Sequence, residues 1–354
     1  MHLLLDSSSD SHQWQEVLSS LKPELQDVYF QNDYCQLETY GKSSEAKAFV
    51  FSQNGRTWFY PFLLNKIETL EGEWFDIQSQ YGYGGPLANT DETEFLSAAH
   101  SALGAWCLES RVVAEFVRLH PLIDNERWLD PQMEVVYDRP TFSLDLTSDV
   151  EVGVEALLSK TARYMLRRAE NGGLTAEIKA DEDSFDRFVE LYSGTMDRLG
   201  ADRYYYFDNL YFDGLRKLIE NQGWLITATI KGETVSAALF LKGKEWLHYH
   251  LSASATGQRY PGATNLVLRA AAHYGREAGL KKLHLGGGAS SAADDSLLAF
   301  KQSMATDQHR YKIGKRIHNN EIYRQLKSSW EEANPSLVEK FGSRLLCYRI
   351  GSNQ

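Results

Sequence analysis

Two stretches of the chain run through the same succession of elements in different letters, and a repeat of that kind restricts the fold more than any single motif. In the first, residues 46–52 and 57–64 are apolar and β-prone on either side of Gln53-Asn54-Gly55-Arg56. Asn-Gly between two such runs predicts a tight hairpin. A segment Tyr81-Gly82-Tyr83-Gly84-Gly85-Pro86 follows, then a helix with Thr90 as its N-cap, Asp91 and Glu92 in its first turn and a stripe of Phe95, Ala99, Ala102, Leu103 and Trp106. Residues 112–119 read as the next strand.

The second stretch begins with three β-like runs at 224–230, 235–241 and 246–251. Lys231-Gly232-Glu233 and Lys242-Gly243-Lys244 separate them, which predicts an antiparallel meander. A loop with Gly257, Pro261 and Gly262 leads into a helix carrying Ala263, Leu266, Val267, Ala270, Ala271 and Tyr274 on one face. Gly279 is placed to cap its C-terminus, and residues 281–285 form another strand. Strands, turn-rich loop, helix and strand, occurring twice, predict two related α+β domains, divided between a strand at 141–146 and a helical region at 151–170. The expected domains are 1–148 and 149–354.

The 354-residue length agrees with two cores. Charge differs sharply between the halves: residues 1–159 carry −17 and residues 160–354 carry +6, within a total of −11. An anionic ligand would prefer the second half, although an acidic first half also serves solubility alone. No apolar run approaches the length of a membrane span, and the N-terminus lacks the basic start of a signal peptide. Cys35, Cys107 and Cys347 are too few and too scattered for a disulfide scaffold or a cysteine zinc site, so a cytoplasmic protein is expected. Walker, nucleophile-elbow and His-Glu-x-x-His motifs are absent, and Gly286-Gly287-Gly288 lacks the spacing of a dinucleotide loop.

Six segments in order carry a resemblance. They are Tyr81–Pro86 as quoted, Lys160-Thr161-Ala162-Arg163-Tyr164-Met165-Leu166-Arg167-Arg168, Thr195-Met196-Asp197-Arg198-Leu199, Tyr249-His250-Leu251-Ser252, His284-Leu285-Gly286-Gly287-Gly288, and Leu297-Leu298-Ala299-Phe300-Lys301. With them the chain resembles the FemAB-type aminoacyltransferases and their GNAT-like acyltransferase relatives, over almost its whole length. The resemblance implies two GNAT-like domains in tandem, each a mixed, mainly antiparallel sheet flanked by helices. It also implies transfer of an acyl or aminoacyl group from acyl-CoA or aminoacyl-tRNA to an amine on a cell-wall or surface-polysaccharide precursor; a CoA-dependent N-acetyltransferase of an amino sugar and a catalytically silent glycan- or partner-binding module are the alternatives. Neither a tightly bound cofactor nor a metal is expected. An acidic acceptor side and a basic donor side would follow from the charge split; contact with a membrane surface and the oligomeric state stay open.

By the same resemblance the Phe300-Lys301 pair lies at the transfer centre, with Lys301 facing the oxyanion or the leaving group. A lysine on a helix surface is the alternative from its letters alone. His250 is a candidate base, because Trp246, His248 and His250 alternate on one side of a strand with Tyr249 on the other, though a packing histidine reads the same way. Lys160, Arg163 and Arg167 fall on one helical face with Arg168 beside it, suited to phosphates or, equally, to a solvated face neutralised by acids. Tyr81, Tyr83, Gly84 and Gly85 would stack on a sugar or base, or would simply connect strand to helix. Gly286, Gly287 and Gly288 would offer N–H groups to an anion, or turn the chain. The loop Arg259-Tyr260-Pro261-Gly262-Ala263-Thr264 partly matches a CoA pyrophosphate loop, with Arg259, Gly262 and Ala263 as donor contacts; Thr264 and Pro261 depart from it. Arg316, in the basic stretch 301–327, is the remaining donor candidate, or else lies on an ordinary exposed strand face.

Overall fold

The computed structural model describes residues 2–148, 153–255, 260–288 and 295–351. In chain order the elements begin with β1 (His2–Asp6), α1 (Ser11–Ser19), α2 (Asn32–Leu37), β2 (Ser44–Gln53), β3 (Arg56–Lys66), β4 (Phe75–Gln78), β5 (Leu87–Ala88), α3 (Thr93–Glu109) and β6 (Val112–Arg118). Next come β7 (Glu134–Asp145), α4 (Val154–Leu157), α5 (Lys160–Asn171), β8 (Thr175–Lys179), α6 (Glu182–Leu199), α7 (Asn209–Gln222), β9 (Gly223–Ile230), β10 (Glu233–Lys242) and β11 (Trp246–Ser254). The chain ends with α8 (Ala263–Glu277), β12 (Lys282–Gly287), α9 (Ser296–Ser303), β13 (Asp307–Ile317), α10 (Asn320–Ala333) and α11 (Val338–Phe341).

Two compact units emerge. One comprises residues 1–25, 29–138 and 311–354; the other comprises 26–28 and 139–310. This division differs from the expected one at 148/149. The 139–145 end of β7 hydrogen-bonds to β12, which draws it into the second unit, while Ile313–Ile317 pair with β6 and belong to the first. Such pairings join residues far apart in sequence, so composition gives no sign of them.

The first unit orders its strands β1-β2-β3-β4-β6-β13, with β5 on β3. The Asn-Gly hairpin forms as expected: Asn54 (φ 52°) and Gly55 (φ 75°) are both left-handed, and β2 pairs with β3 from Gln53↔Arg56 to Ser44↔Asn65. Helix α3 starts three residues later than Thr90, whose hydroxyl instead accepts the N–H of Glu92. The second unit orders its strands β7-β12-β11-β10-β9-β8. Its core gathers Leu166 from α5, Ile226, Phe240 and Leu247 from the meander, Leu266 and Ala271 from α8, and Leu283 from β12. Burying each large aliphatic chain contributes about 1.5–3 kcal/mol.

Each unit contains one parallel strand pair, β4/β6 or β11/β12, with α3 or α8 respectively lying between the two strands in sequence. The pairs β1/β2, β2/β3, β3/β4, β3/β5, β6/β13, β7/β12, β8/β9, β9/β10 and β10/β11 are antiparallel, so the architecture is mixed α+β with a mainly antiparallel sheet. Helix α8 ends as its sequence predicts. Gly279 (φ 73°) follows the last turn, Leu280 N–H bonds Gly275 O and Gly279 N–H bonds Arg276 O, both at 2.9 Å. Those are the two bonds of a Schellman ending. The helical region at 151–170 proves to be two helices, with Ser159 capping α5 through a 3.1 Å bond from Ala162 N–H. No helix among the described residues is long and apolar enough to cross a membrane.

Candidate active site

Strands β11 and β12 pair in parallel only as far as His248↔His284. Beyond that point β11 continues to Ser254 and β12 to Gly287 without mutual pairing, so the second unit holds a fork in its sheet. Both prongs are irregular. Opposite Leu239 and Phe240 of β10, β11 presents Leu251 and Tyr249, which leaves His250 as the extra residue of a β-bulge. On β12 the register against β7 jumps from His284 to Gly286, with Leu285 extra. The bulge also breaks the strict alternation expected for His248 and His250: the two histidines no longer share a face through simple periodicity.

Lys301 reaches the base of this fork. It projects from α9, is only 9% exposed, donates to Gly287 O at 2.7 Å and lies 5.6 Å from the Tyr249 ring centroid. Arg139 Nη1 donates to Gly288 O at 3.0 Å. The glycine turn therefore directs carbonyls at two cations, rather than simply offering N–H groups to an anion as the sequence suggested. Its glycines are needed for space. A side chain on Gly287 would meet Pro140 O at 2.8 Å, and one on Gly288 would meet Asp295 Oδ2 at 2.5 Å. That Asp295 carboxylate caps α9 by accepting the Leu297 and Leu298 N–H groups, which fixes the turn on which Lys301 rides.

Burial, aided by the charge of Arg139 and opposed by Asp295, pushes Lys301 down to about 8. Its ammonium and amine forms are thus both accessible near neutral pH. Phe300 is half-buried against the core of the unit beside it. Burial, with His248 adding to it, pushes His250 down to about 3, and its Nε2 lies 3.4 Å from the Tyr211 hydroxyl. An imidazole held that low is a poor proton acceptor, which counts against the expected base role. Tyr249 is pushed up to about 12 by burial and keeps its phenolic proton. His248 bonds Asp27 at 2.9 Å, and residues 26–28 thereby belong to this unit despite their place in the sequence.

The other sequence candidates fall elsewhere. Lys160, Arg163, Arg167 and Arg168 all lie on α5, and among the described residues none pairs with a carboxylate. Gly262 (φ 86°) caps α8, but a side chain there would lie 2.1 Å from Met165 O, so α5 backbone presses on the turn proposed for a donor pyrophosphate. Ala263 is buried behind it, and Arg259 lies outside the described residues. Arg316 belongs to the first unit, where it bonds Asp130 at 2.5 Å and Gln132 at 3.1 Å; Lys312 pairs with Glu126. These two cations are therefore ion-paired within their own unit, a correction to the reading of 301–327 as one polyanion-binding stretch.

Tyr83 is also committed. Its ring meets Tyr29 at 5.3 Å, His120 at 5.3 Å and Tyr311 at 5.7 Å, all near edge-on. Tyr81 O accepts the Tyr34 hydroxyl at 2.7 Å, and Gly84 and Gly85 are buried against Ser79, Gln80 and Asn125. The segment connects and packs. Two concavities of the second unit, about 400 Å³ beside Arg269 and His273 and about 430 Å³ beside Arg216 and Trp224, do not include Lys301.

Residues 158–302 match the family model described as acetyltransferase (GNAT) domain. That range spans the meander, the crossover helix, the fork and Lys301. The structure named "Crystal structure of FemX" superimposes with a TM-score of 0.71 over 92% of this chain and 99% of that one, at 14% identity. The fold is a tandem GNAT fold of the FemX type. L-PGS from Bacillus licheniformis gives 0.57 at 13% identity, covering 86% of this chain and 91% of that one. A tandem GNAT protein from the clavulanic acid biosynthesis pathway gives 0.51 at 10% identity, over 90% and 98%. No curated protein sequence matches the chain. The FemX-like fold bears out the two-GNAT architecture, and the part of the chain at 158–302 is similar to acetyltransferase (GNAT) domains.

Proposed function

We propose that the chain transfers an acyl or aminoacyl group to an amine on a cell-wall or surface-polysaccharide precursor, at the β11/β12 fork of the second unit. The observation that carries this is Lys301: a cation removed from water and anchored on Gly287 O, where strand pairing stops. In the reaction, the neutral acceptor amine attacks the donor carbonyl, forming the C–N bond and a tetrahedral oxyanion. Collapse breaks the ester or thioester bond, and the leaving oxygen or sulfur takes a proton while the amine loses one. Charged Lys301 would stabilise the oxyanion or protonate the leaving group, and low surrounding polarity strengthens that effect. His250, held neutral, would orient Tyr211 rather than accept the proton. Tyr249 would position the ammonium from below.

The α5 cations, which pair with no carboxylate among the described residues, supply a place for the phosphates of a nucleotide-linked acceptor or of tRNA. Acyl-CoA is favoured as donor by the acetyltransferase match; aminoacyl-tRNA is favoured by Pro261, which removes an N–H where a pyrophosphate cradle would want a donor. The name of the L-PGS neighbour agrees with an acceptor at the cell envelope. Native mass spectrometry of the protein titrated with acetyl-CoA and with mixed aminoacyl-tRNA tests the reading. Saturable binding of either, with acyl transfer lost in Lys301→Met, supports it; failure of both donors to bind overturns it.

A further inference from the structure

The segment joining α6 to α7 reads Arg203-Tyr204-Tyr205-Tyr206-Phe207-Asp208, and its aromatic rings are neither core nor scattered. Tyr204, Tyr205 and Tyr206 are 50%, 40% and 43% exposed, a run of rings open to solvent on one short stretch. We propose that this segment is the platform on which a hexosamine acceptor lies, so that the amine to be acylated belongs to an amino sugar. The proposal rests on the reading of the fork as the transfer centre and names its acceptor.

Three observations support it. First, the rings are held in place. Tyr192 donates to Tyr205 O at 2.9 Å, Tyr206 donates to Asp197 Oδ1 at 3.1 Å, and Tyr204 and Tyr205 meet edge-on at 5.4 Å. A surface fixed before binding loses less entropy when a ligand arrives. Second, the platform leads to the fork. Phe207 stacks on Tyr211 at 4.2 Å and 14°, and the Tyr211 hydroxyl lies 3.4 Å from His250, the bulge residue. Third, the local charge is wrong for phosphates. Residues 197–213 hold Asp197, Asp202, Asp208 and Asp213 against Arg198 and Arg203, an acidic surplus inside the basic half of the chain. Flat rings take the C–H face of a sugar, carboxylates take its hydroxyls, and the surplus attracts an ammonium. A stacked nucleic-acid base would use the same rings but bring phosphates into that acidic surface.

The test is binding by the full chain, read by saturation-transfer NMR and tyrosine fluorescence, with four probes: tetrameric chitosan, its N-acetylated form, maltotetraose and a short oligouridylate. Saturable binding of the chitosan tetramer is expected, at least about fivefold tighter than maltotetraose and weakened about tenfold or more in a Tyr204→Ala, Tyr206→Ala double variant. Both residues are exposed, so the unfolding midpoint of that variant should match the parent and certify the fold. Asp202→Asn should narrow the preference for the free amine over the N-acetylated form. Lys301→Met should leave binding intact, so a failed transfer reading and a failed platform give different results. Absence of saturable sugar binding, equal binding by the double variant, or preference for the oligouridylate would each overturn the proposal.

Discussion

In the first unit the parallel pair β4/β6 stays joined beyond its last paired residues, whereas in the second β11 and β12 separate after His248 and His284. The first junction is sutured by the chain that follows β4. Ser79 N–H bonds Phe116 O at 3.0 Å, Ser79 Oγ accepts Arg118 N–H at 2.9 Å, and Gly84 N–H bonds Arg118 O at 2.7 Å. Asn125 then closes the connection on Gly84 O and Pro86 O. In the second unit a bulge at His250 and a glycine turn at Gly286–Gly288 replace that suture, and a lysine occupies its foot. The same succession of elements thus yields a filled junction and an open one. Among the described residues, the bonds that close the first junction have no counterpart between β11 and β12 past His248 and His284.

The comparison breaks most visibly at Lys301. Lys301→Met should lower turnover about a hundred- to a thousandfold, the scale for loss of one oxyanion-stabilising group. Stability should change little, because the burial cost of the charge and the bond to Gly287 O disappear together. A variant with unaltered turnover would show the open fork to be unrelated to transfer.

The converse substitution belongs to the filled junction. Gly85 sits at φ 99° with Asn125 Nδ2 2.7 Å and Leu119 Cδ2 3.0 Å from where a side chain would begin. Gly85→Ala should destabilise the protein by about 1–3 kcal/mol through backbone strain and displacement of Asn125, measured by urea unfolding. Turnover of the folded fraction should remain that of the parent. A selective loss of turnover with stability kept would return Tyr81–Pro86 to the substrate-binding role that its letters suggested.

A third outcome follows from proton linkage at Lys301. Its ordinary value is 10.5 and its folded value about 8. Below pH 8 both folded and unfolded chains hold the proton; between 8 and 10.5 only the unfolded chain holds it. Folding stability contributed by this group therefore rises with pH across that window, and Lys301→Met should lack the rise. Turnover should move the other way, falling as pH passes about 8, if the charged form faces the oxyanion. A pH–rate profile of the parent that rises throughout would assign Lys301 its amine form as the working one.

How much of this was legible in the letters depended on the range of the interaction. The Asn54-Gly55 hairpin and the Gly279 ending are decided within a few residues, and the sequence predicts both. Lys301 was singled out by resemblance, while its letters alone also read as a helix-surface lysine; its burial comes from packing that those letters do not show. The fork was not legible: nothing in Tyr249 or Leu285 says where parallel pairing stops, because each strand meets partners fixed elsewhere in the chain. Arg139 beside Gly288, Asp27 beside His248 and Asp130 beside Arg316 are separated by 149, 221 and 186 positions. Tyrosine-rich segments misled for a related reason. Tyr83 and Tyr204 look alike as letters, yet one is enclosed by three rings of its unit and the other faces solvent. The run Tyr204-Tyr205-Tyr206, with Arg203 before it and Phe207-Asp208 after it, has no glycine beside it and is the one that faces solvent.

The smallest expected effect tests whether His250 acts through Tyr211. Tyr211→Phe removes one hydroxyl at 3.4 Å from Nε2 while keeping the ring stacked on Phe207. A bond of that length between neutral groups contributes about 0.5–1.5 kcal/mol, so turnover should fall about two- to tenfold. Because His250 is already neutral, the pH–rate profile should keep its shape. His250→Gln retains a side-chain hydrogen-bonding group and should lose no more than Tyr211→Phe does; a far larger loss, accompanied by disappearance of an acidic limb, would make the imidazole a proton acceptor after all. The bulge that releases His250 from the alternation of β11 would then be the device that presents a base, instead of one that turns a strand away from its neighbour.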